Sequence, residues 1–471
     1  MSDVVAALRA VLGDRVLTDP ETLDAHRRDY WALAEIHDLL GRGAPRPRAV
    51  VRATSTEDVA QTLRICRAGR AAVIPFGGAS GVCGAIEATP ESVVLSTRGL
   101  EGLVRLSDRN LTACFRAGTL GIDAEERVRQ DGLTIGHWPQ SVALSTVGGW
   151  VATRASGQYS TGYGSIEDLV LALEVVLPDG SVLRTRETPR AAAGPDLRQI
   201  FMGSEGTLGV ITEVTFSLRP LPEASVGQAF HFAAFEDGIE AVRRLMRSGW
   251  RPPVIRLYDA LESARSFAAW CPAGQSLLIL LHEGPASAVK TQFEAVAALT
   301  ADAAGEDADA ACVDHWLEHR NSVPSFRELN EQGLVVDTIE VACTWDLAPR
   351  LYAGVTRSLR EVPGMLMASA HTSHSYRSGT NFYFTFAVRV EERERMPAVY
   401  RECWERTMDA TVAAGGGIAH HHGIGRVRRN WLADEIGGSG VALLRDLKRT
   451  LDPGGLLNPG VLLPPPGAGP R

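Results

Sequence analysis

The amino-acid sequence predicts an α+β protein with more than one domain, and its length and patterning lead to this fold class. The chain has 471 residues, whereas a single hydrophobic core stops growing at about 250–300 residues. Short apolar strand patterns alternate with helical windows as far as residue 221, and longer helical windows separated by strands follow. With 45% hydrophobic and 22% charged residues, the composition is typical of a globular protein that buries a sizeable interior.

Changes in this pattern divide the chain into four segments. Residues 1–45 form an N-terminal helical arm, and residues 46–221 form an α+β domain. Residues 222–430 form an α/β domain built on an antiparallel sheet with helices on one face. Residues 431–471 form a C-terminal segment that returns to the first domain. The first domain opens with a helix that Ser55 caps, with Asp58 three positions on. We expect the tail to be disordered from residue 464.

Charge, cysteine content and hydropathy exclude several classes of protein. The net charge is −8 and the sequence pI about 5.9, so no overall positive field recruits nucleic acid. The seven cysteines are scattered without a C-x-x-C pair, which is typical of free thiols in a reducing compartment. The N-terminus lacks a basic region and an apolar signal core, and no apolar run approaches about 18 residues. We therefore expect a cytoplasmic protein without a transmembrane segment.

Three glycine-rich loops lie within the first domain. The first, residues 75–81, follows an apolar strand and reads PFGGASG, which is not the G-x-G-x-x-G pattern of a nicotinamide-binding turn. The second, residues 137–170, is rich in small residues and shows neither a helix nor a strand period, while the third, residues 203–211, precedes a strand. Glycines let backbone N–H groups approach an anion closely. Three such loops in one domain predict a dinucleotide lying along that domain.

These loops also carry a family resemblance. PFGGASG, the PQS…STVGG…TRASG block and FMGSEGTLGVITE resemble the FAD-binding domain of the vanillyl-alcohol-oxidase and para-cresol-methylhydroxylase superfamily. Within it, STVGGWVATRASGQYSTGYGSIEDLV, PPVIRLYD and AHHHGIGRVRRNWL are similar to the alkyldihydroxyacetonephosphate synthase family. The resemblance covers residues 45–463. It implies a two-part FAD-binding domain of the vanillyl-alcohol-oxidase type with a substrate-capping domain, and family members of this kind are often homodimers.

The resemblance also implies which residues contact FAD. The cofactor positions carried over from the family are Pro75, Phe76, Gly77, Gly78, Ala79, Ser80, Gly81, Pro139, Gln140, Ser141, Ser145, Thr146, Gly149, Thr153, Arg154, Ala155, Ser156, Glu205, Gly206, Thr207, Leu208, Gly209, Val210 and Ile211. Covalent tethering in the superfamily uses a histidine in the first loop or a cysteine in the second. Neither stands at the required place here, and Cys83 lies beyond the first loop. We therefore predict non-covalent FAD.

Candidate catalytic residues lie in the second domain. Consecutive histidines cannot all face one way on a strand, so the triplet His420, His421 and His422 alone gives poor metal geometry. The resemblance implies that all three matter for activity and that at least one serves as an acid or base. Tyr383 lies on an aromatic strand, a pattern that is typical of core packing. By the resemblance, it matches the catalytic tyrosine of the family. Two arginines, Arg256 and Arg327, complete the set of candidates.

Arg256 lies inside an apolar strand pattern, where its charge needs an anion or a carboxylate such as Asp259. The resemblance favours a catalytic role for Arg256. It also matches Arg327 to the arginine of the family that contacts substrate, although an isolated helical arginine is more often exposed on the surface.

Three functions remain open at this point. The resemblance implies exchange of the acyl group of acyl-dihydroxyacetone-phosphate for a fatty alcohol, through a flavin N5 adduct with no net redox change. The expected partner is thus a small-molecule or lipid-like substrate, and peripheral membrane contact is compatible with it. The second is an FAD-linked dehydrogenase of a 2-hydroxy acid or alcohol. Such enzymes bind metal through G-H-x-G-D-G-N-x-H and E-H-G, but this chain reads SHSYRSGTNFYF and HHHG, so we predict no metal. The third is a flavin-binding protein without catalysis.

Overall fold

The computed structural model describes residues 4–322 and 325–465, and it confirms the predicted α+β fold class. Two separate sheets and a short two-stranded ribbon precede residue 221, and a large antiparallel sheet follows. Of the tail expected to be disordered, residues 466–471 lie outside the described residues. The four domain boundaries stay a prediction.

The N-terminal half contains a four-stranded and a five-stranded sheet. In spatial order, the four-stranded sheet consists of Val16–Leu17, Ala49–Arg52, Val93–Ser96 and Val73–Phe76, with the last three parallel. The five-stranded antiparallel sheet consists of Leu103–Ser107, Thr112–Arg116, Val210–Ser217, Val170–Val176 and Val182–Arg184. The ribbon pairs Leu133–Thr134 with Arg219–Pro220.

Helices connect the strands and pack against the sheets in both halves of the chain. In the N-terminal half they are Val4–Leu12, Pro20–Ala25, Ala32–Leu39, Thr56–Gly69, Gly121–Arg129, Val147–Thr153, Ser160–Tyr163, Ile166–Leu169 and Arg198–Phe201. In the rest of the chain they are Phe235–Ser248, Ala260–Ser266, Ala286–Ala301, Ala311–His319, Phe326–Glu331, Ala348–Arg360, Met396–Ala414 and Leu432–Leu451. Single 3₁₀ turns lie at Gly13–Arg15, Arg393–Arg395 and Arg429–Trp431.

The local capping prediction at the first long helix is confirmed, and the second glycine loop differs from expectation. Ser55 Oγ accepts a hydrogen bond from the Asp58 backbone N–H at 3.1 Å, which satisfies one of the free donors at the helix start. Within the loop where no helix period was found, Val147–Thr153 forms a short helix, which Thr146 caps. Two glycines and only seven residues leave no periodic pattern to detect, so its tertiary packing determines this helix.

A seven-stranded antiparallel sheet, here named the cap sheet, dominates the second half. Its strands in spatial order are Glu306–Asp307, Ala224–Phe232, Ser276–Gly284, Val254–Tyr258, Met365–Thr372, Gly379–Arg389 and Leu334–Thr344. Its outer face packs on the helices Phe235–Ser248, Ala348–Arg360 and Met396–Ala414 in the largest hydrophobic core. The opposite face meets the helix Ala311–His319 and, at its centre, a cavity. Helices therefore lie on one face along most of the sheet, as predicted, and a single helix lies on the other.

Within the described residues, every helix is too short or too polar to cross a lipid bilayer.

His137 is an unusual member of the core of the first half. Its ring is fully buried against Trp150, with the ring centroids 4.5 Å apart. Neither ring nitrogen has a hydrogen-bond partner among the described residues. Burial lowers the pKa of His137 to about 3, so the imidazole is neutral in the folded protein at ordinary pH.

This burial predicts a specific pH dependence for a His137→Leu variant. The pKa of an unfolded histidine is about 6.5, so below that pH the unfolded chain binds a proton that the folded chain does not. We expect wild type to lose up to about 1.4 kcal/mol of unfolding free energy per pH unit relative to the variant between about pH 6.5 and pH 4. Urea denaturation across this range measures the difference. Parallel pH profiles for the two proteins would show that His137 titrates normally.

Candidate active site

A cavity of about 780 Å³ lies between the cap sheet and the glycine loops of the first half, a size typical of ligand pockets. Most of the predicted cofactor positions line it: Pro75, Phe76, Gly77, Gly78, Ala79, Ser80, Gly81, Pro139, Gln140, Ser141, Ser145, Thr146, Gly149, Thr153, Ala155, Ser156, Glu205, Gly206, Gly209, Val210 and Ile211. Three others, Arg154, Thr207 and Leu208, lie outside this lining set. The contact of each residue with a cofactor stays a prediction.

The three loops touch one another at positions that only glycine can occupy. A Cβ atom on Gly78 of the first loop would lie 2.1 Å from the Leu144 carbonyl oxygen of the second loop. Gly206 of the third loop has a φ of +69°, and a Cβ there would lie 2.9 Å from Cγ of Pro75. Larger residues would push the loops apart. The glycines therefore bring three backbone segments to one wall of the cavity.

The opposite wall is one face of the cap sheet, and strand alternation selects its residues. On Gly379–Arg389, Phe382 and Phe384 point into the hydrophobic core, so Tyr383 between them points to the cavity. Arg256 and His371 lie on the same face of two neighbouring strands and also line the cavity. The period of two thus gathers an arginine, a histidine and a tyrosine from three strands.

The histidine triplet is held by one buried carboxylate. The backbone N–H groups of His420, His421 and His422 all donate to the Glu340 carboxylate, at 2.8, 3.3 and 2.6 Å. Glu340 lies on the last strand of the cap sheet and is fully buried. Because each backbone donor needs a partner once buried, this carboxylate determines the path of the triplet.

Arg428 supplies the counter-charge to Glu340. Its fully buried guanidinium lies 3.0 Å from Glu340 Oε1 and also donates to the Gly423 carbonyl oxygen. The face of Trp404 lies 5.1 Å from the guanidinium carbon. Burial alone would raise the pKa of Glu340, but the guanidinium and the neighbouring histidines hold that pKa below its ordinary value. Glu340 is therefore ionised.

A second buried carboxylate holds the residues that follow the triplet. Glu205, in the third glycine loop, accepts hydrogen bonds from the N–H groups of Ile424 and Gly425 at 2.6 and 2.8 Å. Burial raises the pKa of Glu205 to about 7. Glu205 was predicted as a cofactor position, and its side chain also joins the loop of the first half to the histidine segment.

Tyr383 and His422 form a hydrogen-bonded pair at the cavity wall. The phenol oxygen lies 3.2 Å from His422 Nε2. His422 Nδ1 lies 3.6 Å from Glu340 Oε1, which is too long for a hydrogen bond, and it has no other partner among the described residues. The Tyr383 hydroxyl can donate to Nε2 when the ring carries its proton on Nδ1. Burial raises the pKa of Tyr383 and lowers the pKa of His422. The resting pair is therefore a protonated phenol next to a neutral imidazole.

His420 and His421 contact a further histidine, His374, which was not among the predicted residues. His374 lies on the loop after the cap strand Met365–Thr372, and its ring centroid is 4.7 Å from that of His420 and 4.8 Å from that of His421. One ring nitrogen from each of the three lies within 4.8 Å of the others. However, His374 Nδ1 is 2.6 Å from Ser160 Oγ, and His420 Nε2 is 2.7 Å from the Tyr376 hydroxyl. The absence of a metal stays a prediction.

The two predicted arginines occupy different environments. Arg256 lines the cavity and does not pair with Asp259, which instead accepts hydrogen bonds from Tyr352 and from backbone N–H groups. Arg327 lies outside the cavity lining, and its side chain is 61% exposed and pairs with Glu35 and Glu331. The role of Arg327 toward substrate stays a prediction that this placement does not support.

Sequence reasoning missed several residues at the cavity or behind it. Glu340 and Arg428 gave a partial signal, because an acidic residue in an apolar strand and an arginine near the triplet each need a buried partner. His371 matched no motif. His374 stands at the first histidine of the G-H-x-G-D-G-N-x-H pattern, but the aspartate and the second histidine of that pattern are missing. Arg320 lies on no recognised motif, and only the fold brings it to the cavity.

Comparison with known families identifies the chain. Residues 47–186 match the family described as FAD binding domain, and residues 221–462 match that described as FAD linked oxidases, C-terminal domain. This protein belongs to the FAD-linked oxidase family and is an enzyme that uses FAD.

Relatives with different names align over most of the chain. It is 34% identical over 478 residues to the uncharacterized FAD-linked oxidoreductase YgcU of Escherichia coli O157:H7, covering 98% of both chains. It is 29% identical to the alkyldihydroxyacetonephosphate synthase of Caenorhabditis elegans, covering 89% of this chain and 77% of the relative. It is 25% identical to glycolate oxidase subunit GlcD of Bacillus subtilis, covering 94% of both.

Solved structures agree with this family assignment. A structure of alkyldihydroxyacetonephosphate synthase superposes with a TM-score of 0.80 at 26% identity, covering 97% of this chain and 84% of the other. A structure of p-cresol methylhydroxylase superposes with a TM-score of 0.75 at 17% identity, covering 97% and 95%, which supports the fold alone. The expected vanillyl-alcohol-oxidase type of fold is confirmed.

The residues at the cavity suit FAD. The close loop contacts at Gly78 and Gly206 form a narrow backbone-lined cradle, and Asn458 at the wall leaves its Oδ1 without a partner among the described residues. Cys83 lies outside the cavity lining, where Arg428 Nη1 contacts its Sγ at 3.6 Å, and burial raises the pKa of this thiol well above its ordinary value. The position of Cys83 and the raised pKa of its thiol do not favour a covalent link to FAD, and non-covalent binding stays a prediction.

The buried Glu340–Arg428 pair predicts a large effect for Glu340→Gln. The variant keeps the side-chain shape but leaves the Arg428 guanidinium buried without a counter-charge. We expect the unfolding free energy to fall by about 3–5 kcal/mol, as for other buried pairs that lose one partner. Urea denaturation of the FAD-bound protein measures this change.

The exposed Glu91 provides the matched control. It has no salt bridge or side-chain hydrogen bond within the described part of the chain, so Glu91→Gln should change stability by less than about 0.5 kcal/mol. A loss below about 1 kcal/mol for Glu340→Gln would contradict the role of this pair.

Proposed function

We propose that this enzyme exchanges the acyl group of an acyl-dihydroxyacetone-phosphate-like ester for a fatty alcohol. In this reaction the bond from the glycerone carbon to the ester oxygen breaks, and the acyl group leaves as a carboxylate. The oxygen of the alcohol then bonds to the same carbon, and the alcohol proton is released. The observation that carries the proposal is the Tyr383–His422 pair on the wall that faces the glycine loops. The resemblance to alkyldihydroxyacetonephosphate synthases in sequence and structure supports it.

The protonation states of the pair suit acid–base work without net redox change. The phenol of Tyr383 keeps its proton at neutral pH because burial raises its pKa, so it is available as a donor. The neutral His422 imidazole can accept a proton at Nε2, where it meets the phenol. Bound FAD would supply a reactive N5 nitrogen.

The remaining predicted residues surround the pair. His421 stacks near the Tyr383 ring with centroids 6.0 Å apart, and His420 holds Tyr376. We propose that these histidines orient the pair and that Arg256 receives the phosphate or the leaving carboxylate. The predicted cofactor loops would hold FAD opposite them. A homodimer, a cytoplasmic location and peripheral membrane contact stay predictions, as does a lipid-like substrate.

One observation favours a second function, oxidation of a 2-hydroxy acid or alcohol. The chain is similar to glycolate oxidase subunit GlcD, and the cluster of His374, His420 and His421 offers three imidazole nitrogens near the cavity. Imidazole is a preferred ligand of zinc and other divalent transition metals.

Metal removal separates the two functions. We expect elemental analysis of the purified enzyme to find no stoichiometric divalent metal, and activity to survive EDTA, because two of the three imidazoles already bond to hydroxyl groups. One equivalent of bound zinc or manganese, with activity lost on chelation and restored by the metal, would favour the oxidase function instead.

A Tyr383→Phe variant tests the proposed exchange. The change removes one oxygen and keeps the ring in its strand, so it should cost at most about 1–3 kcal/mol of stability. The exchange rate, followed by the appearance of labelled alcohol in the ether product, should fall by about 10²–10⁴-fold. Acid precipitation should still release yellow FAD into the supernatant.

Two further variants complete this test. His421→Ala and His422→Ala should also give folded, yellow and poorly active protein. Near-wild-type turnover by Tyr383→Phe would mean that the phenol takes no part in the chemistry, and the exchange mechanism would then be wrong.

A further inference from the structure

Two guanidinium groups share one indole ring in the cavity. Arg256 and Arg320 both line the cavity, and their guanidinium carbons lie 5.5 and 5.8 Å from the ring centre of Trp316. Arg256 comes from the cap sheet, whereas Arg320 follows the helix Ala311–His319. Two separate elements therefore place positive charge at the same part of the wall.

Neutral groups hold Arg256 in place. Its Nε donates to the Tyr258 hydroxyl at 2.7 Å, and its Nη2 donates to His371 Nε2 at 2.9 Å. Burial and the guanidinium together lower the pKa of His371 to about 3, so this imidazole is neutral and acts as the acceptor. Three of the five N–H groups of Arg256 have no protein partner within the described ranges.

Arg320 is fixed in a similar way by neutral groups. Its Nη1 donates to Gln158 Oε1 at 2.7 Å, and the Gln158 amide donates back to the Arg320 carbonyl oxygen at 2.9 Å. The guanidinium carbon also lies 5.2 Å from the ring centres of both Trp138 and Tyr159. Nη1 also makes a long contact with the side chain of Asn321. The Nε and Nη2 groups of Arg320 have no partner in the part of the chain that the structure describes.

The carboxylates at the cavity do not neutralise these two arginines. Glu262 pairs with Arg265 at 2.7 Å, and no carboxylate in residues 4–322 and 325–465 forms a salt bridge with Arg256 or Arg320. Glu283 acts on Arg320 electrostatically but forms no salt bridge with it, and burial still lowers the pKa of Arg320. A partly buried charge without a paired counter-charge is costly unless an anion completes the site. Guanidinium forks match the oxygens of phosphate and carboxylate groups.

We propose that Arg256 and Arg320 form an anion-binding subsite for the phosphate or carboxylate group of the substrate, with Arg320 as a residue that determines specificity. The inference rests on the proposed function for its choice of substrate, but it concerns binding alone. Gln158 and the aromatic side chains of Trp138, Tyr159 and Trp316 hold the Arg320 guanidinium at the cavity wall that also carries Arg256.

Isothermal titration of the FAD-bound enzyme tests the subsite. The probes are dihydroxyacetone phosphate, hexanoate and uncharged dihydroxyacetone. At least one anionic probe should bind more tightly than dihydroxyacetone, and the one that does so identifies a phosphate or a carboxylate as the ligand group. Arg320→Gln should raise the Kd of that probe by about ten- to a hundred-fold, since it removes charge-assisted hydrogen bonds. Arg320→Lys should have a smaller effect, because it keeps the charge and loses the fork.

The control is Arg247→Gln on an exposed helix face, where Arg247 has no salt bridge. It should leave the Kd within about twofold of the wild-type value. The subsite is wrong if Arg320→Gln binds the anionic probes as wild type does or if dihydroxyacetone binds equally well. It is also wrong if both Arg320 variants lose FAD while Arg247→Gln keeps it, because Arg320 would then support the cofactor.

These measurements distinguish a failure of the subsite from a failure of the proposed function. Titration requires no reaction, so an enzyme without exchange activity that binds anions through Arg320 would overturn the proposed function and support the subsite. An Arg320→Gln enzyme with wild-type exchange kinetics, including KM, would overturn only the subsite.

Discussion

The fully buried Glu340–Arg428 ion pair is the interaction on which the geometry of the active site depends. Burying two charges costs several kcal/mol per ion, and only good geometry with further hydrogen bonds offsets this cost. Here the carboxylate also accepts three backbone N–H groups, and the guanidinium also binds two backbone carbonyl oxygens. An apolar pair of the same volume would leave those backbone groups without partners. The pair is therefore the condition for placing three consecutive histidines next to one tyrosine.

The same strands supply both the core and the active site, which joins stability to chemistry. Phe382, Phe384 and Phe386 are fully buried on the outer face of the cap sheet. Their packing determines which way the strand faces, and strand alternation then directs Tyr383 and Thr385 to the cavity. A shift of one residue in the pairing of Gly379–Arg389 with its neighbours would exchange the two sets. The phenol thus owes its position to phenylalanines that never contact the substrate.

Local signals in the sequence were sufficient for much of this structure. The cap at Ser55, the glycine loops and the alternating aromatic strand are all short-range patterns, and each lies where it was predicted. Long-range partners were beyond such signals. Nothing local joins Glu340 to Arg428, which lies 88 residues away, or His374 to the triplet. Arg327 shows the converse, since a match of motif placed it at the substrate whereas the fold directs it to Glu35 and Glu331.

The charge of Arg256 acts on two neighbouring groups of the cavity wall, the His371 imidazole and the Tyr383 phenol. Burial and the Arg256 guanidinium both lower the pKa of His371, whose ring stacks on Tyr383 with centroids 4.9 Å apart. An anion on Arg256 and Arg320 would offset the positive field at His371 and raise its proton affinity, because an opposite charge nearby favours the protonated imidazole. Burial is the larger cause and keeps the His371 imidazole neutral. The same guanidinium lowers the pKa of Tyr383, but burial outweighs it, so the phenol keeps its proton. An anion at Arg256 would therefore raise the proton affinity of the imidazole and of the phenol together, because the guanidinium lowers the pKa of both groups.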